Sequence, residues 1–210
     1  MPLESGRAAL LGLGIIGSRV AARLAASGWQ VAFWNRTPKG LPGEAPTPEA
    51  AVADAEVISI YLKDAPALRA VMARLAPALR EGQIVLNHAT VDLATTHWLD
   101  GLCAERGCRF LDAPFTGSKL AAASGQLVYY TGGDDGLVRL ITPYPAGFRQ
   151  GVATLRWGGF CHGGEAGHQF DFSMYRAGAG RGPGHCDASR SGGGAVHSGG
   201  GGKFLWFAIG

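Results

Sequence analysis

Over the first two thirds of the chain, short apolar runs alternate with stretches whose apolar residues recur at helical spacing. Ala8-Ala9-Leu10-Leu11, Gln30-Val31-Ala32-Phe33-Trp34, Val57-Ile58-Ser59-Ile60-Tyr61-Leu62 and Gln83-Ile84-Val85-Leu86-Asn87 read as strands, the third of them buried. Arg109-Phe110-Leu111-Asp112 and Gln126-Leu127-Val128-Tyr129-Tyr130 read as two more. Between them lie helical patterns. Ser18 to Leu24 is alanine-rich, and Thr47-Pro48-Glu49 offers an N-cap, a helix-compatible proline and an acidic first turn for a short helix to Asp54. Asp64 caps a predicted helix carrying Leu68, Val71, Met72 and Leu75, and a further helix is expected around Thr95–Glu105. Strands alternating with helices predict an α/β fold, a doubly wound parallel sheet with helices on both faces.

One junction in this pattern carries chemistry. Gly12-Leu13-Gly14-Ile15-Ile16-Gly17 stands between the first strand and the first helix, the context that a dinucleotide-binding, Rossmann-type turn requires. The first glycine allows the tight turn, and the second lets a pyrophosphate approach the backbone. The third lets helix and strand pack closely, with the helix N–H groups aimed at the phosphates. The end of the second strand then decides between cofactors. An NAD site places Asp or Glu there for the ribose 2′-hydroxyl; this chain has Asn35-Arg36-Thr37, and Arg36 can pair with a 2′-phosphate. The reading favours NADP over NAD.

After about Gly151 both rhythms stop. Residues 151–210 are about 30% glycine, against about 7% in ordinary chains. Runs such as Gly178-Ala179-Gly180-Arg181-Gly182-Pro183-Gly184 cannot hold a regular helix. The expected division is a nucleotide-binding domain over 1–150 and a disordered, irregular tail over 151–210.

Composition narrows the function classes. A formal charge of +3 is too small and dispersed to argue for nucleic acid or a membrane surface. The tail has no repeated Arg-Gly-Gly units interleaved with aromatics, so a glycine-rich nucleic-acid scaffold fits poorly. No run of about 20 apolar residues predicts a membrane span, and Met1 to Arg7 is too short and polar for a signal peptide. Cys103, Cys108, Cys161 and Cys186 are spaced too unevenly for a disulfide framework, so a reducing, cytoplasmic setting is expected. Cys161-His162, His168 and His185-Cys186 lack the regular spacing of a zinc site, and no metal is assigned.

Taken together, the segments resemble the β-hydroxyacid dehydrogenase family, the relatives of 3-hydroxyisobutyrate dehydrogenase, glyoxylate/succinic semialdehyde reductase and 6-phosphogluconate dehydrogenase. The resemblance rests on the glycine turn, with Ile16 where methionine is usual, and on Trp34-Asn35-Arg36-Thr37. It continues in Gly82 to Val91, similar to a D-x-S-T strand end with Asn87 and Ala89 as departures. Asp112-Ala113-Pro114-Phe115-Thr116-Gly117-Ser118 is similar to the D-A-P-V-S-G-G substrate loop, and Gly125, Leu127 and Gly132-Gly133 follow in place. These segments span about residues 7–148.

The resemblance implies reversible hydride transfer between a nicotinamide and a small hydroxy acid or aldehyde acid. It places Leu62 and Lys63 along the cofactor crevice and Thr90 near the nicotinamide. Thr116, Gly117 and Ser118 would offer hydroxyl and N–H donors to a substrate carboxylate, with Asp112 orienting that loop; His88 is read as incidental to catalysis. The family's acid/base is a lysine on the first helix of an all-helical C-terminal domain, in a G-x-x-x-K-x-x-x-N pattern. The corresponding stretch here, Gly163-Gly164-Glu165-Ala166-Gly167-His168-Gln169, has no lysine, so no catalytic residue is assigned. The region through which the family dimerises is missing as well.

Reverse translation offers a reason. Glu165-Ala166 is encoded GAR-GCN, and reading one base later gives ARG, lysine or arginine. The same shift permits Lys-Leu-Ala-Ile-Asn-Leu-Ile, with lysine and asparagine at the family's spacing. A reading frame lost between about Pro143 and Cys161 is therefore the expectation, with a genuine low-complexity tail as the alternative. On function, the rivals to a reductase are a non-catalytic NADP-binding module and a non-functional frameshifted product.

Overall fold

A computed structural model describes residues 6–132 and 134–144 together with the strand Val152–Leu155. Strands β1 (Arg7–Leu11), β2 (Gln30–Trp34), β3 (Val57–Ile60), β4 (Ile84–Asn87) and β5 (Arg109–Asp112) pair in parallel in the order β2-β1-β3-β4-β5. The short β6 (Phe115–Thr116) and β5 both pair with β7 (Val128–Gly132), which runs antiparallel to them. β8 (Val152–Leu155) pairs in parallel with β7. The expected parallel sheet thus holds for five strands and turns mixed at β7.

Alternation along each strand explains why both faces are covered. Ala8 and Leu10 of β1 and Ile84 and Leu86 of β4 face one core, whereas Ala9, Leu11 and Val85 face the other. The first core is closed by α1 (Gly17–Ala26), α5 (Lys119–Ser124) and α6 (Asp135–Ile141), through Val20, Leu24, Ala122 and Leu137. The second is closed by α2 (Pro48–Val52), α3 (Ala65–Leu75) and α4 (Leu93–Glu105), through Val52, Leu68, Met72 and Leu99. Leu10 has no exposed surface; truncating such a side chain to alanine typically costs about 2–5 kcal/mol through lost burial and the cavity left behind.

Helix starts follow local side-chain chemistry. Thr47 accepts from the Ala50 N–H, Asp64 from Ala67, Asp92 from Thr95, Ser118 from Ala121 and Asp134 from Leu137. Each oxygen satisfies an amide that the helix itself cannot. Among the described α-helices α1 is the exception: Ile16 precedes it and no side chain caps it.

The chain extends one strand past the domain edge expected at residue 150, since Val152–Leu155 joins the sheet. The remainder of the glycine-rich tail lies outside the described residues, as do Gly163–Gln169 and the Cys161, His162, His168, His185 and Cys186 set.

Candidate functional site

The parallel strands end level with one another. Trp34 lies opposite Leu11, Leu11 opposite Ile60, Ile60 opposite Asn87, and Asn87 opposite Asp112. The residues that follow these strand ends therefore share one edge of the sheet. The chain leaves β1 toward β2 on one side and returns through β3 on the other, so the edge splits into a crevice at the β1/β3 boundary. Ligands of open α/β sheets bind at such switch points.

The glycine turn sits at that boundary, and its three glycines differ in what surrounds them. Gly12 adopts φ 102°, and a Cβ there would run into the Tyr61 carbonyl oxygen. At Gly17 a Cβ would collide with the Gly12 carbonyl oxygen and lie 3.3 Å from Tyr61 Cβ. Both are close-packing positions within the fold. Gly14 differs: a Cβ there would meet nothing within 4 Å, so the chain itself has no use for the missing side chain. Open space at Gly14 beside the uncapped start of α1 fits a pyrophosphate lying on the backbone. Leu13 is buried, Ile15 is 68% exposed, and Ile16 packs partly against the α1-side core.

Asn35 ties the second strand to this turn. Its Oδ1 accepts from the Leu13 N–H at 2.9 Å, and its Nδ2 donates to the Thr37 carbonyl at 2.7 Å. Both ends of the amide are engaged within the chain, so Asn35 shapes the loop while Arg36 and Thr37 stand exposed beside it. Asn35, Arg36, Gly40, Leu41 and Glu44 line an open cavity of about 330 Å³. Glu44 was not singled out from the sequence, where one acid among glycines and prolines carries no periodic signal.

Beyond β3 the edge is more closed. Leu62 packs partly into the second core and would lie 3.3 Å from a Cβ at Gly12, whereas Lys63 is exposed. Tyr61 shares a hydroxyl–hydroxyl bond of 2.9 Å with Tyr129, and His88 stacks on the Tyr61 ring with centroids 4.4 Å apart. His88 Nδ1 lies 2.8 Å from the Ala113 carbonyl and donates to it in the neutral tautomer. Burial pushes His88 down to about 4, so near neutral pH it is an uncharged core residue. Tyr61 and Tyr129 are pushed up, chiefly by burial. Phe115 completes this aromatic group, 5.9 Å from Tyr61 between centroids. A tyrosine at the end of a buried strand looked like ordinary core, so the sequence pattern missed this cluster.

The departure at Asn87 has a visible consequence. Its Nδ2 donates to Asp112 Oδ1 at 2.8 Å, and its Oδ1 accepts from the Ala89 N–H at 3.1 Å. Burial raises Asp112 while the Asn87 bond opposes it. A carboxylate in place of Asn87 would confront Asp112 with a like charge. Thr90 follows on this edge and is exposed.

In the loop after β5, Thr116 and Gly117 are exposed, and Gly117 has φ 142° with Leu127 Cδ2 2.7 Å from where a Cβ would be. Ser118 Oγ caps α5 at 3.2 Å from the Ala121 N–H, leaving its own O–H able to donate. Among the described residues no group of three or more His, Cys, Asp or Glu could hold a metal ion. None of the described helices is long and apolar enough to cross a membrane.

Residues 7–145 match the family described as the NAD binding domain of 6-phosphogluconate dehydrogenase. The chain belongs to that family. The family's relatives include β-hydroxyacid dehydrogenases, and its enzymes are oxidoreductases using a nicotinamide dinucleotide. The chain is 31% identical over 144 residues to glyoxylate/succinic semialdehyde reductase 2, chloroplastic, of Arabidopsis thaliana, covering 64% of this chain and 40% of the reductase. It is 32% identical over 133 residues to the cytokine-like nuclear factor N-PAC of Mus musculus, covering 60% of this chain and 24% of that protein. The structure of Mycobacterium tuberculosis 3-hydroxyisobutyrate dehydrogenase with L-serine superposes with a TM-score of 0.67 at 23% identity, over 71% of this chain and 54% of that one. That likeness is one of fold. The chain spans less than half the length of the plant reductase it matches.

Proposed function

We propose that this chain binds NADP as the nucleotide-binding domain of a β-hydroxyacid dehydrogenase-type reductase, and that the chain as written turns over negligibly. The observation that carries the cofactor reading is the end of β2, where Asn35 stands in place of an acidic ribose ligand and Arg36 is exposed in the adjoining cavity. Bound there, the cofactor would supply hydride chemistry toward a small hydroxy acid or aldehyde acid. The residues of this chain do the rest: Gly14 admits the pyrophosphate in the turn that Gly12 and Gly17 allow to pack closely, Arg36 pairs with the 2′-phosphate, and Leu62, Lys63 and Thr90 line the path to the nicotinamide. Thr116, Gly117 and Ser118 donate to a substrate carboxylate.

Negligible turnover follows from the missing proton donor. General acid–base help is worth about 10²–10⁴ in rate, and no lysine stands in Gly163–Gln169 to supply it. Loss of frame between about Pro143 and Cys161 would account for that gap. A second reading, a non-catalytic NADP-binding module, draws on the likeness to a relative whose name denotes a nuclear factor. A non-functional frameshifted product would bind no cofactor at all.

The test is titration of the full chain and Arg36→Ala with NADPH and NADH, read by fluorescence. One or two charge-assisted bonds lost to the 2′-phosphate should weaken NADPH by about 10–100-fold and leave NADH within about twofold. Equal losses for both cofactors contradict the assignment.

A further inference from the structure

The loop between β2 and α2 is fixed at both ends, by a side-chain amide at its start and by backbone at its return. Asn35 holds its start, and its return is held by a parallel bridge between Phe33 and Glu44, with the Ala45 N–H donating to the Phe33 carbonyl at 2.8 Å. Its middle is held differently. The N–H groups of Lys39, Gly40 and Leu41 all donate to the Glu44 carboxylate, at 2.9, 2.7 and 3.3 Å. These bonds, led by that from Lys39, keep Glu44 below the usual carboxylate range. Successive backbone amides turned to one point make an anion seat, and here the chain's own carboxylate fills it. Glu44 also borders the cavity that Arg36 lines.

We propose that Glu44 is a positioning residue for cofactor selectivity, holding the loop that follows Arg36 in the form that presents this arginine to a 2′-phosphate. The proposal rests on the NADP reading above. Without the carboxylate, three amides lose their shared acceptor, and the arginine must be ordered when the cofactor binds. A phosphate-free adenosine end has no use for that ordering, so selectivity moves while NADH binding does not.

The experiment titrates the full chain, Glu44→Ala, Glu44→Gln and Arg36→Ala with NADPH and NADH. Glu44→Ala is expected to cut the NADPH-over-NADH preference about tenfold with NADH affinity nearly constant. Glu44→Gln, which keeps a carbonyl acceptor, should fall between Glu44→Ala and the unmodified chain. An unchanged preference in Glu44→Ala, with Arg36→Ala losing it, overturns the proposal and leaves the NADP reading standing. Parallel loss of both cofactors in both Glu44 variants also overturns it, because Glu44 then serves only the fold. Tighter NADPH binding in Glu44→Ala overturns it in favour of a carboxylate that competes with the phosphate. Absence of any preference in the unmodified chain, with Arg36→Ala silent, removes the NADP reading and the proposal together.

Discussion

At the β1–β2 end of the sheet edge, the chain leaves space and unshared donors for a ligand: Gly14 faces open space, α1 begins without a side-chain cap, and Arg36 stands exposed. At the β3–β5 end, polar atoms have been drawn into the fold. Tyr61 bonds Tyr129, His88 bonds the Ala113 carbonyl, and Asn87 joins Asp112. The two ends share the strand register, so backbone geometry does not separate them. The difference lies in side chains: one end keeps open space, the other spends its polar groups within the fold. The proposed function places cofactor recognition at the first end, with Thr90 and Thr116 exposed at the second.

The largest effect expected of any variant lies within the glycine turn. Gly17→Val would drive a side chain into the Gly12 carbonyl and Tyr61, and Gly12→Ala adds positive-φ strain to a similar collision. Overpacking and strain each cost about 1–3 kcal/mol, so urea denaturation should show a loss of that order or greater for either change. Gly14→Ala should instead denature like the unmodified chain, because nothing stands within 4 Å of the new methyl. Equal destabilisation at all three glycines would erase the distinction between packing and binding positions.

The second effect probes the closed end. His88 is held down to about 4 from 6.5 by burial. Between those values the unfolded chain takes up a proton that the folded chain refuses, so stability rises with pH across about pH 4 to 6.5. The full swing is up to about 3 kcal/mol. Urea midpoints measured across this range should rise with pH, and His88→Phe should flatten the trend. A slope unchanged in the variant would mean other groups cause it.

The smallest effect is at the loop that follows β6, where α5 begins. Ser118→Ala removes the α5 cap and should cost about 1 kcal/mol without changing NADPH affinity. Weakened NADPH binding there would carry cofactor recognition across the crevice and blunt the contrast between its ends.

Where chemistry was local, the sequence was readable. β2 and β5 fall on the predicted residues, and Thr47 and Asp64 cap the helices they were expected to cap. The glycine turn could be placed because strand, glycines and helix are contiguous. Long-range consequences were not legible. The reversal at β7 depends on pairing with β5 and β6, and the expected strand Gln126–Tyr130 sits at Val128–Gly132 because α5 and its Gly125 cap precede it. α5 and α6 are too short to show a periodic face in sequence. The Tyr61–His88–Phe115–Tyr129 group joins four separate segments, and Glu44 acts through amides that no side-chain pattern reveals.

The proposed function makes this chain a folded NADP-binding domain whose pyrophosphate lies on the open face of the glycine turn. Its most direct test is NADPH titration of the full chain beside Gly14→Ala, with urea denaturation of both. Saturable NADPH binding by the unmodified chain is expected, with at least tenfold weaker binding by an equally stable Gly14→Ala. A folded chain that ignores NADPH, or a Gly14→Ala variant that binds it as well, would contradict it.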